Sequence, residues 1–290
     1  MDEHKRVMVL GKNNIAIECT KELLKKNRVQ VVGCCPNNND DGKDKWQRSF
    51  YKFCNEKAIK IFRFNKIKSI KSLNILKGLN LDFIFSFQYD QIINQKIIDV
   101  PKLGAINLHF SPLPKYRGVS PIAWALISGE NEFGVTLHYM DPGVDTGDII
   151  SQKNFEIDSI KNARELYNKC EDIGKTLFKD SLEKLLDGNN KRNPQENTKA
   201  IYYPNGSINF ENCKINFKKS TYMLYNWIRA FIFPPFQYPI FQYEKKWKKV
   251  VEVYPIYKKN KFEKPGTLVK INDNKFVFST QDCYIELKTE

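Results

Sequence analysis

The sequence predicts an α/β protein: an open, mostly parallel sheet flanked by helices, followed by a small, mainly β appendage. Three observations carry this. Short apolar runs alternate with segments of helical period through residues 1–110. The first three elements read strand, helix, strand, which calls for parallel strands and a right-handed crossover. Beyond residue 240 the pattern changes to short strand-like segments divided by turn residues.

The elements follow in order. "RVMVL" (6–10) is an apolar run ending at Gly11, and it reads as the first strand. "AIECTKELLKK" (16–26) has helical spacing, with lysines in the last turn where the helix dipole favours cations. "VQVVGCC" (29–35) is a second strand, and "PNNNDDGKDK" (36–45) is a loop. A helix over 46–57, a short strand "IKIF" (59–62) and a helix over 67–79 come next. "DFIFSF" (82–87), "AINLHF" (105–110) and "FGVTLHYM" (133–140) are further strands. "DPGVDTGDII" (141–150) is a tight loop with two glycines and three carboxylates. The segment 162–188 is a long helix, with Asn162 and Glu165 at capping-box spacing and Gly188 at a C′ position. We expect a Rossmann-like core domain over 1–195 and a helix plus β subdomain over 196–290. "STYMLYNWIRAF" (220–231) is the helix of the second part. "KKVVEVYPIY", "PGTLVKI", "KFVFST" and "CYIELKT" are its strands. Gly11 is followed by "KNNIA", so no glycine-rich turn is present to admit a pyrophosphate, and a dinucleotide cofactor is rejected there.

Composition narrows the classes. The 290 residues are 41% hydrophobic and 13% aromatic, a globular composition. No apolar run reaches the roughly 20 residues of a membrane span, and the amino-terminal run is too short for a signal peptide. We therefore expect no membrane partner and a cytoplasmic location. Seven cysteines are an odd number without a CxxC pair or a Cys/His cluster, so we expect reduced thiols and no metal. The net charge of +14 is spread along a chain that is also rich in Asn and Ile. No clustered basic face is visible, so nucleic acid is not the expected partner, although the excess suits an anionic substrate.

The chemistry centres on "INLHFSPLPKYRG" (106–118). Only three histidines exist, His4, His109 and His138. Asn107 and His109 lie two apart at the end of a strand, so they share a face at the carboxyl edge where ligands of such sheets bind. A carboxamide N–H can donate to a developing oxyanion, and an imidazole can take the proton of an attacking amine. A carboxylate would hold the imidazole's tautomer, and Asp141, Asp145 and Asp148 lie in the next loop. No serine or cysteine nucleophile stands out, which favours direct transfer. His138 sits inside a strand pattern and reads as a structural residue.

The block from Asn107 to Ile150 resembles the folate-dependent formyltransferase family. It carries Asn-x-His, a Ser-x-Leu-Pro-x-x-Arg-Gly loop, Gly-Val-Thr and Asp-x-Gly-Asp in order and without a gap. The first strand and "DFIFSFQY" fit the same fold, so the resemblance covers about residues 5 to 190. It implies that Asn107, His109 and Asp145 are catalytic and that the formyl donor is N10-formyltetrahydrofolate. It further implies that the pterin lies against the backbone of Phe85, Ser86, Phe87, Gln88 and Tyr89, and of the loop holding Met140, Asp141 and Asp145.

Within the family the chain looks like the sugar N-formyltransferases. Members that formylate initiator tRNA usually carry Gln-Arg-Ala where this chain has "AWAL" (123–126), and often Met near His138. "YNWIRAFIFPPF" (225–236) resembles the segment after the core of the sugar enzymes. Phe110 and Pro112 depart from the branch's usual Pro and Leu. The expected substrate is a nucleotide-linked amino sugar built on thymidine diphosphate, used in bacterial surface polysaccharide synthesis. Lys115, Arg117, Tyr222, Trp227 and Arg229 are candidate substrate contacts, and a homodimer is expected. The alternatives are a methionyl-tRNA formyltransferase and a non-catalytic folate- or nucleotide-binding protein.

Overall fold

The computed structural model describes residues 4–258 and 263–290. Its elements run β1 (Lys5–Gly11), α1 (Asn13–Leu24), β2 (Val29–Pro36), α2 (Phe50–Glu56), α3 (Ile70–Lys77), β3 (Phe83–Phe87), α4 (Gln95–Ile98) and β4 (Gly104–His109). Then come β5 (Arg117–Gly118), α5 (Pro121–Ser128), β6 (Glu132–Tyr139), β7 (Ile149–Glu156) and α6 (Ala163–Leu186). The rest is β8 (Tyr202–Tyr203), α7 (Thr221–Phe231), β9 (Ile240–Tyr243), β10 (Lys246–Ile256), β11 (Leu268–Asn272), β12 (Lys275–Ser279) and β13 (Tyr284–Thr289).

The main sheet has the order β2-β1-β3-β4-β6-β7. β1 pairs in parallel with β2 and β3, β3 with β4, and β4 then pairs antiparallel with β6. The expected α/β class is observed. The chain leaves β1 to one side for β2 and returns on the other side for β3, so the strand order reverses between β1 and β3. In open sheets, ligands bind at the carboxyl edge near such a reversal. Here that edge carries Gly11, Phe87 and His109. Gly11 is required by close approach: a Cβ there would lie 2.3 Å from the Phe87 carbonyl oxygen.

Phe83, Phe85 and Phe87 lie in a fully buried strand, and Phe85 and Phe87 meet Phe178 of α6 edge-on at 5.1 Å. Met8, Leu10, Ile84, Ile97 and Ala105 belong to a second buried cluster of this part of the chain. The helices start where short polar side chains satisfy free N–H groups. Ser49 accepts from Lys52 N, Ser69 from Ser72 N and Ser220 from Met223 N. The capping box before α6 forms, with Asn162 accepting from Glu165 N and the Glu165 carboxylate accepting from Lys161 N.

Some expectations are corrected. "IKIF" makes only an isolated parallel bridge, Cys34 to Ile61. α5 and β7 are elements that the pattern did not single out. By compactness the chain forms two units. One compact unit comprises residues 1–117, 134–154 and 170–202, and the other 118–133, 155–169 and 203–290. The two are interleaved in sequence because segments from the middle pack with the carboxyl-terminal part. α5 packs on α7, Arg164 donates to the Pro234 carbonyl at 2.5 Å, and Tyr167 meets Phe233 edge-on at 5.7 Å. The second unit holds a five-stranded sheet of order β11-β12-β13-β10-β9, with antiparallel pairing throughout. Leu224 and Ile228 of α7 pack with Phe241, Val250, Phe278 and Ile285. β5 and β8 form a separate two-stranded ladder.

Gln47 and Glu171 close the amino-terminal end of α1, where Lys12 provides no side-chain cap. Gln47 Oε1 accepts from Asn14 N at 3.2 Å, and Gln47 Nε2 donates to Glu171 Oε2 at 2.6 Å. The other Glu171 oxygen is buried without a hydrogen-bond partner. Burial pushes the Glu171 carboxyl up to about 7, against the opposing bond from Gln47. The unfolded chain ionises this group near 4.5 while the folded chain keeps its proton to about 7. Stability should therefore fall as pH rises from 4.5 to 7, by on the order of 3 kcal/mol, and level off above. Glu171→Gln should remove that fall and be more stable than the natural chain at pH 8 but not at pH 4.5. Urea unfolding at both values checks this, and identical pH slopes for the two proteins would refute it.

Candidate active site

Asn107 and His109 alternate with Leu108 along β4, so they project from one face while Leu108 is buried on the other. The antiparallel register places Asn107 opposite His138 and His109 opposite Thr136 on β6. Directly opposed residues share a face. His138 is therefore a member of the cluster, and the expectation that it is only a structural strand residue is corrected. Its Nε2 lies 3.2 Å from Asn107 Nδ2, and its Nδ1 lies 2.7 Å from its neighbour's carbonyl, Tyr139 O. A carbonyl can only accept, so Nδ1 carries the hydrogen and Nε2 accepts from the carboxamide.

Asp145 arrives from the loop between β6 and β7. Its backbone is left-handed at φ +55, unusual for a residue with a side chain. Two residues on, Gly147 passes so close to β6 that a Cβ would lie 2.0 Å from the Tyr139 carbonyl oxygen. The carboxylate is mostly buried and lies 3.6 Å from both His109 Nδ1 and His138 Nε2. Asn107 Nδ2 donates to it over a long 3.4 Å. Both acceptors around Nδ2 settle the amide orientation, because the reversed carboxamide would set oxygen against oxygen.

The His109 ring is oriented from the other side. Its Nε2 lies 2.9 Å from the Tyr116 carbonyl, so Nε2 carries the hydrogen and the Nδ1 lone pair faces Asp145. The tautomer is thus set by Tyr116, not by Asp145 as expected, because 3.6 Å exceeds hydrogen-bond length. Asp145 instead sits where it would stabilise positive charge on the ring. The 111–117 loop that carries Tyr116 is pinned to β6: Thr136 Oγ1 donates to Ser111 O at 2.7 Å and accepts from Leu113 N at 3.2 Å.

The remaining candidates separate. Phe85 and Phe87 bury their rings in the core, so only their backbone is left for a ligand. Ser86 is buried, Gln88 leaves β3 at φ +58, and its carbonyl accepts from Asn37 Nδ2 at 3.2 Å. Tyr89 is half-buried with its hydroxyl 3.5 Å from Cys35 Sγ. Met140 N donates to Ala105 O at 2.8 Å, and Asp141 Oδ1 accepts from Gly143 N at 3.1 Å and from Thr146. Lys115 is exposed, and Tyr222 is half exposed with its hydroxyl 3.3 Å from Gly129 O.

Three expected substrate contacts make contacts within the protein. Arg117 is buried, and its guanidinium binds Gln195 and Asn197. Trp227 stacks on Phe231 at 4.2 Å, packed against the apolar cluster of the second unit. Arg229 is buried and donates to Asn226 Oδ1 at 3.0 Å and Ile160 O at 3.1 Å. Each sits on a face that the sequence pattern left undetermined.

Among the described residues no group of three His, Cys, Asp or Glu could hold a metal ion. No helix among the described residues is long and apolar enough to cross a membrane. All seven cysteines are free, and five of them are buried. Burial pushes the Cys19, Cys34 and Cys35 thiols up, away from the reactive thiolate.

The chain is similar to characterised proteins along most of its length. A formyl transferase domain model matches residues 5–182, and a formyl transferase C-terminal domain model matches residues 207–289. A methionyl-tRNA formyltransferase of Clostridioides difficile is 32% identical over 78% of this chain and 73% of its own. One from Clostridium tetani is 30% identical over 98% and 90%. The crystal structure of WlaRD, a sugar 3N-formyl transferase determined with dTDP and 5-N-formyl-THF, is 32% identical. It aligns over 99% of this chain and 98% of its own with a TM-score of 0.79. The N-formyltransferase of Helicobacter canadensis, in complex with folinic acid and dTDP-3-aminofucose, is 30% identical. It aligns over 99% and 100% with a TM-score of 0.81. Domain matches over both parts of the chain, together with relatives at this identity, establish that the protein belongs to the formyl transferase family and is a formyltransferase.

Proposed function

We propose that the protein transfers a formyl group from N10-formyltetrahydrofolate to the primary amine of a nucleotide-linked amino sugar, in bacterial surface polysaccharide synthesis. The observation that carries this reading is end-to-end similarity to two sugar N-formyltransferases, whose crystal structures contain a formylated folate and a dTDP ligand. The "AWAL" segment supports it. Ala123, Ala125 and Leu126 are buried on α5 and Trp124 stacks on Tyr203 at 4.2 Å, so no cation is offered where tRNA enzymes usually carry Arg.

The donor set fits such a formyl donor. A carboxamide, an imidazole and a carboxylate converge with no nucleophilic hydroxyl or thiol among them, as direct acyl transfer requires. When bound, the folate supplies the activated formyl carbon. Asn107 has one N–H committed to His138 and one making only the long contact to Asp145. The second is the one that can meet negative charge building on the formyl oxygen. His109 Nδ1 is the free lone pair of its ring and accepts the proton of the attacking amine. Asp145 stabilises the resulting imidazolium across 3.6 Å and can pass the proton to the departing folate nitrogen. The backbone of residues 85–89 and of 140–141, at the same strand edge, is the surface proposed for the pterin. The exposed Lys115 is the proposed substrate contact on this unit, a cation suited to a diphosphate.

A methionyl-tRNA formyltransferase is the second reading, favoured by the curated relatives at about 30% identity. The two readings differ in electrostatics. A tRNA enzyme neutralises several phosphates, so its affinity falls steeply with salt. A sugar nucleotide presents a diphosphate and a shallow dependence. Formyl transfer to dTDP-3-aminofucose and a panel of other amino-sugar nucleotides, beside charged initiator tRNA, should yield sugar products with little change across a salt series. Salt-sensitive formylation of the tRNA with no sugar product would replace this reading with the second.

Site variants test the roles. Asn107→Ala should lose ~10²–10³ in kcat, the usual worth of one oxyanion donor. His109→Ala should lose roughly 10²–10⁴, the usual contribution of a positioned base. Both should keep the far-UV spectrum and melting midpoint of the natural chain. Near-normal turnover in His109→Ala would remove the base from the mechanism.

A further inference from the structure

The left-handed turn at Asp145 is held by a side chain from a distant segment. Gln195 Nε2 donates to the carbonyls of Asp145 at 2.9 Å and Gly147 at 2.7 Å. Those two bonds use both of its N–H groups. Its Oε1 is gripped by one guanidinium, from Arg117 Nε at 3.0 Å and Nη2 at 2.8 Å. Arg117 Nη2 also donates to Asn197 Oδ1 at 3.0 Å, and Arg117 N to Ile201 O at 2.8 Å. The guanidinium therefore fixes which end of the carboxamide faces the turn, and the carboxamide fixes the turn. The residue before Arg117 is Tyr116, itself left-handed at φ +61, whose carbonyl orients His109. One dipeptide thus governs both partners of the 3.6 Å imidazole–carboxylate gap, His109 directly and Asp145 through Gln195.

We propose that Gln195, locked by Arg117, is a positioning residue for formyl transfer: it holds the strained Asp145 turn and so sets the carboxylate against His109 and Asn107. The proposal rests on the catalytic roles assigned to those three residues. A left-handed non-glycine residue persists only where its surroundings over-determine it. Without the two carbonyl bonds the turn can relax and carry its carboxylate away, and a displacement of about 1 Å costs ~10²-fold in rate. Arg117 is too buried to reach a substrate, so its charge acts through this contact.

The test is a double-mutant cycle with N10-formyltetrahydrofolate and dTDP-3-aminofucose, or whichever acceptor the panel selects. The choice of acceptor therefore does not decide it. Gln195→Met keeps the length and loses every hydrogen bond. Gln195→Glu keeps the Arg117 partner and loses both donations to the turn. Each should lower kcat by ~10²-fold while KM for either substrate moves less than about threefold. If Gln195→Met fails to fold, Gln195→Glu carries the comparison. In an Asp145→Asn background the same change should cost less than about threefold, because what Gln195 positions is already gone. Full additivity in the cycle, or an effect confined to KM or to the melting midpoint, would overturn the proposal. Normal turnover in Asp145→Asn alone would instead overturn the catalytic reading beneath it, a result visible before Gln195 is touched.

Discussion

The orientation of the Asn107 carboxamide depends on a cross-strand neighbour, His138, which lies 3.2 Å from its Nδ2. His138 can accept only because Tyr139's carbonyl holds the hydrogen on Nδ1. That pairing exists only because β4 and β6 run antiparallel in this register. A shift of one residue would turn Asn107 and His109 to opposite faces from His138 and Thr136. The same register places Thr136 where it anchors Ser111 and Leu113, and so the loop that brings Tyr116's carbonyl to His109. The one antiparallel strand pair beside β4 thus fixes both active side chains.

The loop and the turn that complete the site are strained. Tyr116 and Asp145 both sit in the left-handed region, each at a cost of about 1–3 kcal/mol. Hydrogen bonds from the buried Arg117 and from Gln195 offset this, and those of Arg117 would be costly to break because a buried guanidinium without partners is far worse than an exposed one. The strain sits next to the chemistry and its support lies behind it. That arrangement keeps a carboxylate and an imidazole 3.6 Å apart, close without joining them in a hydrogen bond.

Much of this was legible in the sequence. The i, i+2 placement of Asn107 and His109, the glycines around Asp145 and the capping box at Asn162 all follow from local rules and short spacing. What was not legible depends on long-range register or on the direction of a long side chain. His138 lies in an unbroken strand pattern, and nothing in "TLHYM" reveals that its opposite number is Asn107. Gln195 is far from Asp145 in sequence and lies in a polar segment without regular structure. Arg117, Trp227 and Arg229 are residue types that suit a ligand or a buried contact equally, and only packing decides. The interleaving of the two units was likewise hidden, because a domain boundary read from composition assumes that each unit is one stretch of chain.

The position of the site within the sheet has a physical reason. In related open α/β folds the turn after the first strand and the free N–H groups of the following helix bind phosphate. Here Gly11 packs against Phe87 O, no further glycines follow, and Gln47 with Glu171 fills the end of α1. That end of the sheet is closed to an anion by the chain itself. Two strands away, β4 has an antiparallel neighbour whose side chains oppose its own at the carboxyl edge, and the loop after that neighbour folds back over them. The antiparallel register of β6 sets His138 opposite Asn107, and the loop that follows sets the Asp145 carboxylate 3.6 Å from both His109 and His138.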